Sequence, residues 1–176
     1  MRSDLEHLRG NLDLIHEFVE IEYIDDPNSP EPSDMSYLSA DDRANPDVMS
    51  NVDAMNAMDE YIAWFGRDGD GGWFGLWCGT AGGPVSDAPI VHLDSEGQYQ
   101  LTARSVGDLV VITVYDETGD DEEFARVRSS LTEAGFRVSE SAEKIYESLR
   151  GVENPGDVHS RLYNEGRKRR GLNPVE

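Results

Sequence analysis

The chain has 176 residues, which predicts a single domain, and its 38% hydrophobic content is enough for one core. Its 36 acidic residues outnumber its 15 basic ones, for a net charge of −21, and this excess disfavours binding to nucleic acid or to anionic membranes. With one cysteine, no intramolecular disulfide and no signal-like or membrane-spanning apolar run, we expect a cytoplasmic protein.

The N-terminal third is predicted to be helical with one long interruption. Ser3 and Glu6 have the spacing of a capping box, and the apolar residues that follow recur every three or four positions, which predicts a helix over about residues 4–24. Residues 25–45 are rich in proline and turn-forming residues and predict a loop. The same helical spacing resumes over about residues 46–64, and we predict a second helix there.

A glycine-rich stretch follows. Residues 66–83 contain eight glycines, a density that excludes a helix and favours tight turns and close backbone contacts. We interpret its two aspartates as turn residues whose carboxylates accept hydrogen bonds from nearby backbone amides, and its tryptophans as anchors of the first strand. The residues to which we assign these structural roles are Asp68, Asp70, Gly71, Gly72, Trp73 and Trp77.

The centre of the chain predicts an antiparallel meander. Aromatic and β-branched residues alternate with others over residues 73–77, 89–93 and 99–103, which favours three strands. A turn with a glycine at its end, residues 94–97, joins the last two.

The next segment gives conflicting signals. Residues 105–117 are rich in valine and isoleucine, as in a strand, but Ser105 and Asp108 have the capping-box spacing that begins a helix. Three further helices are predicted over about residues 120–134, 140–150 and 157–170.

The last of these helices ends in a basic run, Arg167 to Arg170. Such a run is typical of a nuclear-localisation or nucleic-acid patch, but cations also suit the C-terminus of a helix, and we favour that interpretation. The contrast with the acidic body also permits the run to dock on it. We therefore predict one domain over residues 1–150 and a helical tail over 151–176 that packs on it or is partly ordered.

Motifs for calcium and phosphate binding fail on spacing. If Asp68 opened an EF-hand loop, its fifth and twelfth positions would be Gly72 and Gly79, which leaves too few oxygen ligands. A Walker loop needs a lysine, and the first lysine of the chain is Lys144. The glycines also follow a predicted helix and precede a strand, the reverse of a dinucleotide-binding turn.

Metal-binding and nucleophilic motifs are equally weak. No two histidines stand four residues apart, so a zinc-binding helix is not predicted. Cys78 is better interpreted as part of a strand than as a nucleophile, and His92 with Asp94 offers only a weak catalytic pair. We predict no catalytic residue, no metal site and no cofactor.

Residues 61–112 resemble the SUKH superfamily of immunity and regulatory proteins. The segments that carry the resemblance, in order, are Asp68 to Gly72, Trp73 to Trp77, Pro89 to Leu93, Glu96 with Gly97, and Ala103 to Leu109. The resemblance implies an α+β fold in which helices flank a small antiparallel sheet, and a helix that begins at Ser105. It also implies a non-catalytic protein that binds and neutralises a toxin, often a nuclease.

The charge distribution suggests where such a partner binds. Residues 1–60 hold 16 acidic and 3 basic residues, so we expect an acidic surface that attracts a basic protein such as a toxin, with the chain itself a monomer or weak homodimer. The acidic residues predicted to bind it are Glu17, Glu20, Glu22, Asp25, Asp26, Asp34, Asp41 and Asp42. The alternative is a small-molecule-binding protein or a hydrolase with a pocket near Trp73, Trp77 and His92.

Overall fold

A five-stranded antiparallel sheet lies at the centre of the computed structural model, which describes residues 4–24, 32–33 and 35–175. Its strands follow one another in the order β1 to β5, so every sequential pair is hydrogen-bonded. The strands are β1 (Glu22–Tyr23), β2 (Ile62–Arg67), β3 (Trp73–Trp77), β4 (Ile90–Leu93) and β5 (Tyr99–Ala103).

Eight α-helices flank this sheet in the described part of the chain, and the fold is α+β, as predicted. They are α1 (Asp4–Gly10), α2 (Leu12–Ile15), α3 (Ala40–Ala44), α4 (Pro46–Asp59), α5 (Val106–Thr118), α6 (Asp121–Glu133), α7 (Ala142–Ser148) and α8 (Pro155–Arg169). None of these helices combines the length and the apolar character needed to cross a bilayer.

Of the two strands missing from the sequence prediction, β1 lies inside a predicted helix and β2 begins inside one. The expected helix over residues 4–24 is wrong beyond Ile15, because the chain turns there and enters β1. The expected helix over residues 46–64 is wrong beyond Asp59, because the chain enters β2. Pairing of β2 with β3 outweighs the local helical spacing, and the alternation of the strand places Trp64 and Phe65 in different hydrophobic clusters.

The ambiguous segment is helical. Ser105 accepts a hydrogen bond from the Asp108 amide (3.1 Å) through its side chain, and α5 ends at Gly119 with φ +63°. Most residues of α5 are buried, so its apolar run reflects burial on nearly every side rather than a strand. The helix cap and the burial of the segment therefore outweigh the strand propensity of its valine and isoleucine residues.

The sheet separates two hydrophobic clusters. One face packs against α1, α5, α6 and α7, around residues such as Phe74, Leu109 and Val127. The other face packs against α4 and α8, around Met58 and Trp77. Alternation along each strand sends successive side chains to opposite clusters.

The predicted tail helix is present as α8, which packs along α4. Arg167 forms an ion pair with Asp47, and Arg170 Nη1 lies 2.8 Å from Asp53 Oδ2. Tyr163 adds a hydrogen bond of 2.6 Å to Asp47. The basic run is thus docked on acidic residues of this same chain.

Candidate functional site

The β2–β3 turn is organised by one aspartate. Asp68 Oδ1 accepts hydrogen bonds from the backbone amides of Asp70 (3.0 Å) and Gly72 (2.5 Å), which is the turn role expected for this carboxylate. Gly71 has φ +90°, a conformation that side-chain-bearing residues rarely adopt. Gly72 has no positive φ, but a Cβ there would come within 2.7 Å of His92 Nε2 and 2.8 Å of Leu93 O.

The second oxygen of the same aspartate holds a histidine. His92 Nε2 lies 2.7 Å from Asp68 Oδ2, and its ring stacks on Phe74 with centroids 4.6 Å apart. The pair therefore ties the β2–β3 turn to β4. His92 does not pair with Asp94, the weak catalytic pair considered from the sequence, because Asp94 lies past the end of β4 and accepts from the backbone amides of its own turn.

Trp73, Trp77 and His92, which the alternative function places beside one pocket, line separate cavities in the described structure. Both tryptophans pack on the cluster between the sheet and helices α4 and α8. His92 lies opposite Phe74 in the β3–β4 register and shares its face, on the side of α5. The period-two alternation of β3 separates these groups by the thickness of the sheet.

A cavity of about 400 Å³ opens on the α5 side of the β2–β3 turn. Its apolar wall is formed by Phe18, Val19, Ile21, Phe74 and Leu109. Four carboxylates line it, together with His92 and two threonines, and its described lining includes no lysine or arginine. These four residues, which we call the acidic cavity residues, are Glu20, Asp68, Asp70 and Glu117.

The acidic cavity residues come from three distant parts of the chain. Glu20 precedes β1, and its carboxylate lies where a Cβ on Gly69 would stand. Asp68 and Asp70 belong to the β2–β3 turn, and Glu117 lies in the last turn of α5. A helix carries a partial negative charge at its C-terminus, so α5 adds to the negative potential of the cavity instead of opposing it.

Five of the eight predicted partner-binding acids lie in the described part of the chain, and the structure does not gather these five into one surface. Glu20 alone lines the acidic cavity, while Glu17 and Glu22 lie on either side of it along the chain. Asp41 and Asp42 lie in α3, where hydrogen bonds from Ser39 lower the pKa of Asp42 and use its carboxylate as a cap. Three residues fall outside the described part of the chain, namely Asp25, Asp26 and Asp34.

Two of these acids also have basic neighbours. The pKa of Arg126 is raised chiefly by its hydrogen bonds to Glu123 and in smaller part by the charge of Glu17. Glu22 lies directly opposite Arg67 in the β1–β2 register. Their negative charge is therefore partly compensated.

Glu117 is the functional candidate that sequence reasoning missed. It lies far along the chain from Glu20, and only the packing of α5 on the sheet brings the two to one cavity. A local signal did exist, because a glutamate in a last helical turn opposes the helix dipole and is out of place there for stability alone.

Within the described residues, no group of three or more histidine, cysteine or acidic side chains is placed to hold a metal ion. The cavity carboxylates are instead distributed around the walls. This arrangement suits a larger cation, such as an ammonium or guanidinium group, which can contact several oxygens at once.

Comparison of the chain with family models, with curated proteins and with solved structures found no significant match. The resemblance to the SUKH superfamily therefore stays a prediction.

Proposed function

We propose that this protein is a non-catalytic binding module of the immunity type, which neutralises a basic toxin or nuclease. The observation that carries the proposal is the acidic cavity of about 400 Å³, whose lining includes four acidic residues. A lysine or arginine side chain of the partner would enter this cavity, with its aliphatic stem on the apolar wall and its charged end among the carboxylates.

The charge of the whole chain supports this proposal. A net charge of −21 attracts a basic protein over a distance of several ångströms and raises the rate of association. Such long-range attraction brings a basic surface to the protein but does not select a site. The cavity supplies the local geometry that would select a basic side chain.

The His92–Asp68 pair is interpreted here as structural. Asp68 uses one oxygen for the turn and the other for His92, which packs on Phe74. The hydroxyls of Thr102 and Thr113, which line the cavity, donate to the backbone carbonyls of Ile90 (3.2 Å) and Leu109 (2.9 Å). These contacts hold the cavity wall in place.

Co-expression tests this function. The genes on either side of the gene for this protein are each expressed with and without this chain, and the growth of the host cells is measured. We expect one product to arrest growth alone, to lose its toxicity in the presence of this chain, and to elute with it as a stoichiometric complex. Flanking products that are harmless, or toxic but unaffected by this chain, would contradict the proposal.

Charge-neutralising variants locate the binding surface in the same assay. Glu20→Gln combined with Glu117→Gln should weaken the complex by about tenfold or more, because both changes remove charge from the cavity. The matched control, Glu133→Gln with Glu165→Gln, removes the same charge from exposed helical positions outside the cavity. Equal weakening by both double variants would show that only the overall charge matters.

A small-molecule-binding protein remains the second candidate, and the same cavity supports it. A short diamine could occupy the cavity without any protein partner, since its ammonium groups match the carboxylates. Titration with putrescine distinguishes the two candidates. Tight binding of putrescine, with no flanking product bound, would favour the second.

A further inference from the structure

A second cavity, of about 290 Å³, lies at the opposite end of α5, and its charged lining residues are mainly basic instead of acidic. It is bounded by α1, the ends of β3 and β4 that face the α5 N-terminus, and the segment around a short 3-10 turn, Val85–Asp87. Its wall is mostly aliphatic. The residues of this wall are Leu5, Leu76, Val85, Ala88, Ile90 and Val106.

Two arginines line this cavity in a chain that has few basic residues. Arg104 donates through Nε to the Ser148 carbonyl (2.6 Å), and Arg137 donates through Nη2 to the Arg104 carbonyl (3.1 Å). A guanidinium group has five N–H donors, so these bonds position each arginine and use only part of its capacity.

One acidic residue, Asp4, shares the lining but compensates the arginines weakly. Its carboxylate lies 3.9 Å from Arg137 Nη2, and both side chains are well exposed, at 40% and 68%. Exposed pairs at such a distance are screened by solvent and contribute little. The cavity therefore keeps a net positive lining.

The first turn of α5 adds to this potential. Ser105 and Val106 line the cavity, and the N-terminus of a helix carries a partial positive charge. The arginines also sit on fixed backbone, because Ser105 Oγ donates to the Arg137 carbonyl (3.0 Å) and Asp108 accepts from the Ser139 amide (2.6 Å). The backbone that carries Arg137 is thus held in position before any ligand arrives.

We propose that this cavity binds a small amphipathic carboxylate, with its aliphatic chain against the apolar wall and its carboxylate at Arg104 and Arg137. Guanidinium groups match carboxylates by paired hydrogen bonds. An aliphatic wall beside two arginines therefore suits a ligand that has both an apolar chain and a carboxylate. The volume is near the lower limit of small-molecule pockets, which selects a short chain. The site is independent of the proposed partner surface, which lies at the other end of α5.

Titration of the ¹⁵N-labelled full chain with octanoate, followed by NMR, tests the proposal. We expect saturable shifts centred on residues 85–88 and 105–106, with a dissociation constant on the order of 1 mM or below. Each methylene removed from the ligand should weaken binding about fourfold. Octanol and octylamine should bind at least about tenfold more weakly, since neither pairs with a guanidinium group.

Two variants separate the charged and apolar contributions. Arg137→Met should weaken octanoate binding at least about fivefold and leave octanol unchanged, whereas Arg161→Met, on α8, should change neither. Ala88→Phe should fill the cavity and abolish both, and circular dichroism reports whether this variant folds. If Ala88→Phe does not fold, the comparison of Arg137→Met with Arg161→Met alone tests whether octanoate binds in this cavity. Absence of saturable shifts, equal binding of octanol and octanoate, or an unaffected Arg137→Met would each overturn the proposal.

Discussion

At the scale of single residues, one aspartate and two glycines hold the β2–β3 turn beside the acidic cavity. Asp68 serves the turn with one oxygen and His92 with the other. Gly71 provides a positive φ, and Gly72 provides room for β4. The two glycines are therefore required for different physical reasons, and substitutions can tell these reasons apart.

Gly71→Val should destabilise the protein by about 1–3 kcal/mol, because valine is strained at φ +90°. Gly72→Ala should cost a similar amount, about 1–3 kcal/mol, because its Cβ would meet the Leu93 carbonyl and the His92–Asp68 pair. Urea unfolding measures both. Gly10→Ala is the control, since its Cβ meets nothing within 4 Å, and we expect a change below about 1 kcal/mol. Losses near zero at Gly71 and Gly72 would remove this explanation.

His92→Phe tests whether the histidine is structural. Phenylalanine keeps the stacking on Phe74 and loses the hydrogen bond to Asp68, so we expect a loss of about 1 kcal/mol in the free energy of unfolding. Neutralisation of the partner should persist in this variant at temperatures where it is folded. A folded variant without neutralising activity would assign the imidazole a direct role in function.

At the scale of elements, α8 packs closely along α4, and polar contacts of its basic run add to this packing. Arg167 is only 12% exposed and contacts Asp47, the Tyr163 hydroxyl (3.2 Å) and the Asn173 carbonyl (2.7 Å). Lys168 is exposed. Arg167→Gln should therefore destabilise the protein by about 1–3 kcal/mol, because it leaves polar partners without their donor. Lys168→Gln should have almost no effect in the same thermal or urea unfolding experiment, and equal effects would contradict this description of the run.

The contact of α8 with β5 predicts a pH dependence. His159 stacks on Tyr99 and Tyr163, and burial lowers its pKa below the ordinary value. The unfolded chain then binds a proton at higher pH than the folded one, so stability is complete above about pH 6.5 and falls as the pH drops below it. His159→Phe should flatten this dependence between about pH 7.5 and pH 5.5, as measured by urea unfolding at each pH. A wild-type stability that is constant across this range would rule out the assignment.

The sequence predicted the elements whose signals are local. Strands β3, β4 and β5 and the Asp68 turn follow from residues within one element or its flanks, whereas the cap of α5 competes with an apolar run that favours a strand. Strands β1 and β2 depend on pairing with distant residues, and their own spacing favours a helix. The acidic cavity could not be predicted, because Glu20, Asp70 and Glu117 meet only after α5 packs on the sheet.

At the scale of the whole molecule, α5 separates two cavities of opposite charge. Its C-terminal half borders the acidic cavity, and its first turn borders the arginine-lined one. Each end of α5 carries a partial charge of the same sign as the charged side chains of the cavity beside it: negative at its C-terminus and positive at its N-terminus. The molecule therefore places an acidic cavity and an arginine-lined cavity on one face of its sheet, while the other face is covered by α4 and α8.

Hydrogen–deuterium exchange of this chain, free and bound to the flanking-gene product that it neutralises, tests the central claim most directly. We predict that the partner slows exchange in the three segments around the acidic cavity, near residues 17–21, 68–72 and 113–117. Slower exchange confined to α4 and α8, with these three segments unchanged, would show that the partner binds elsewhere and that the acidic cavity does not receive it.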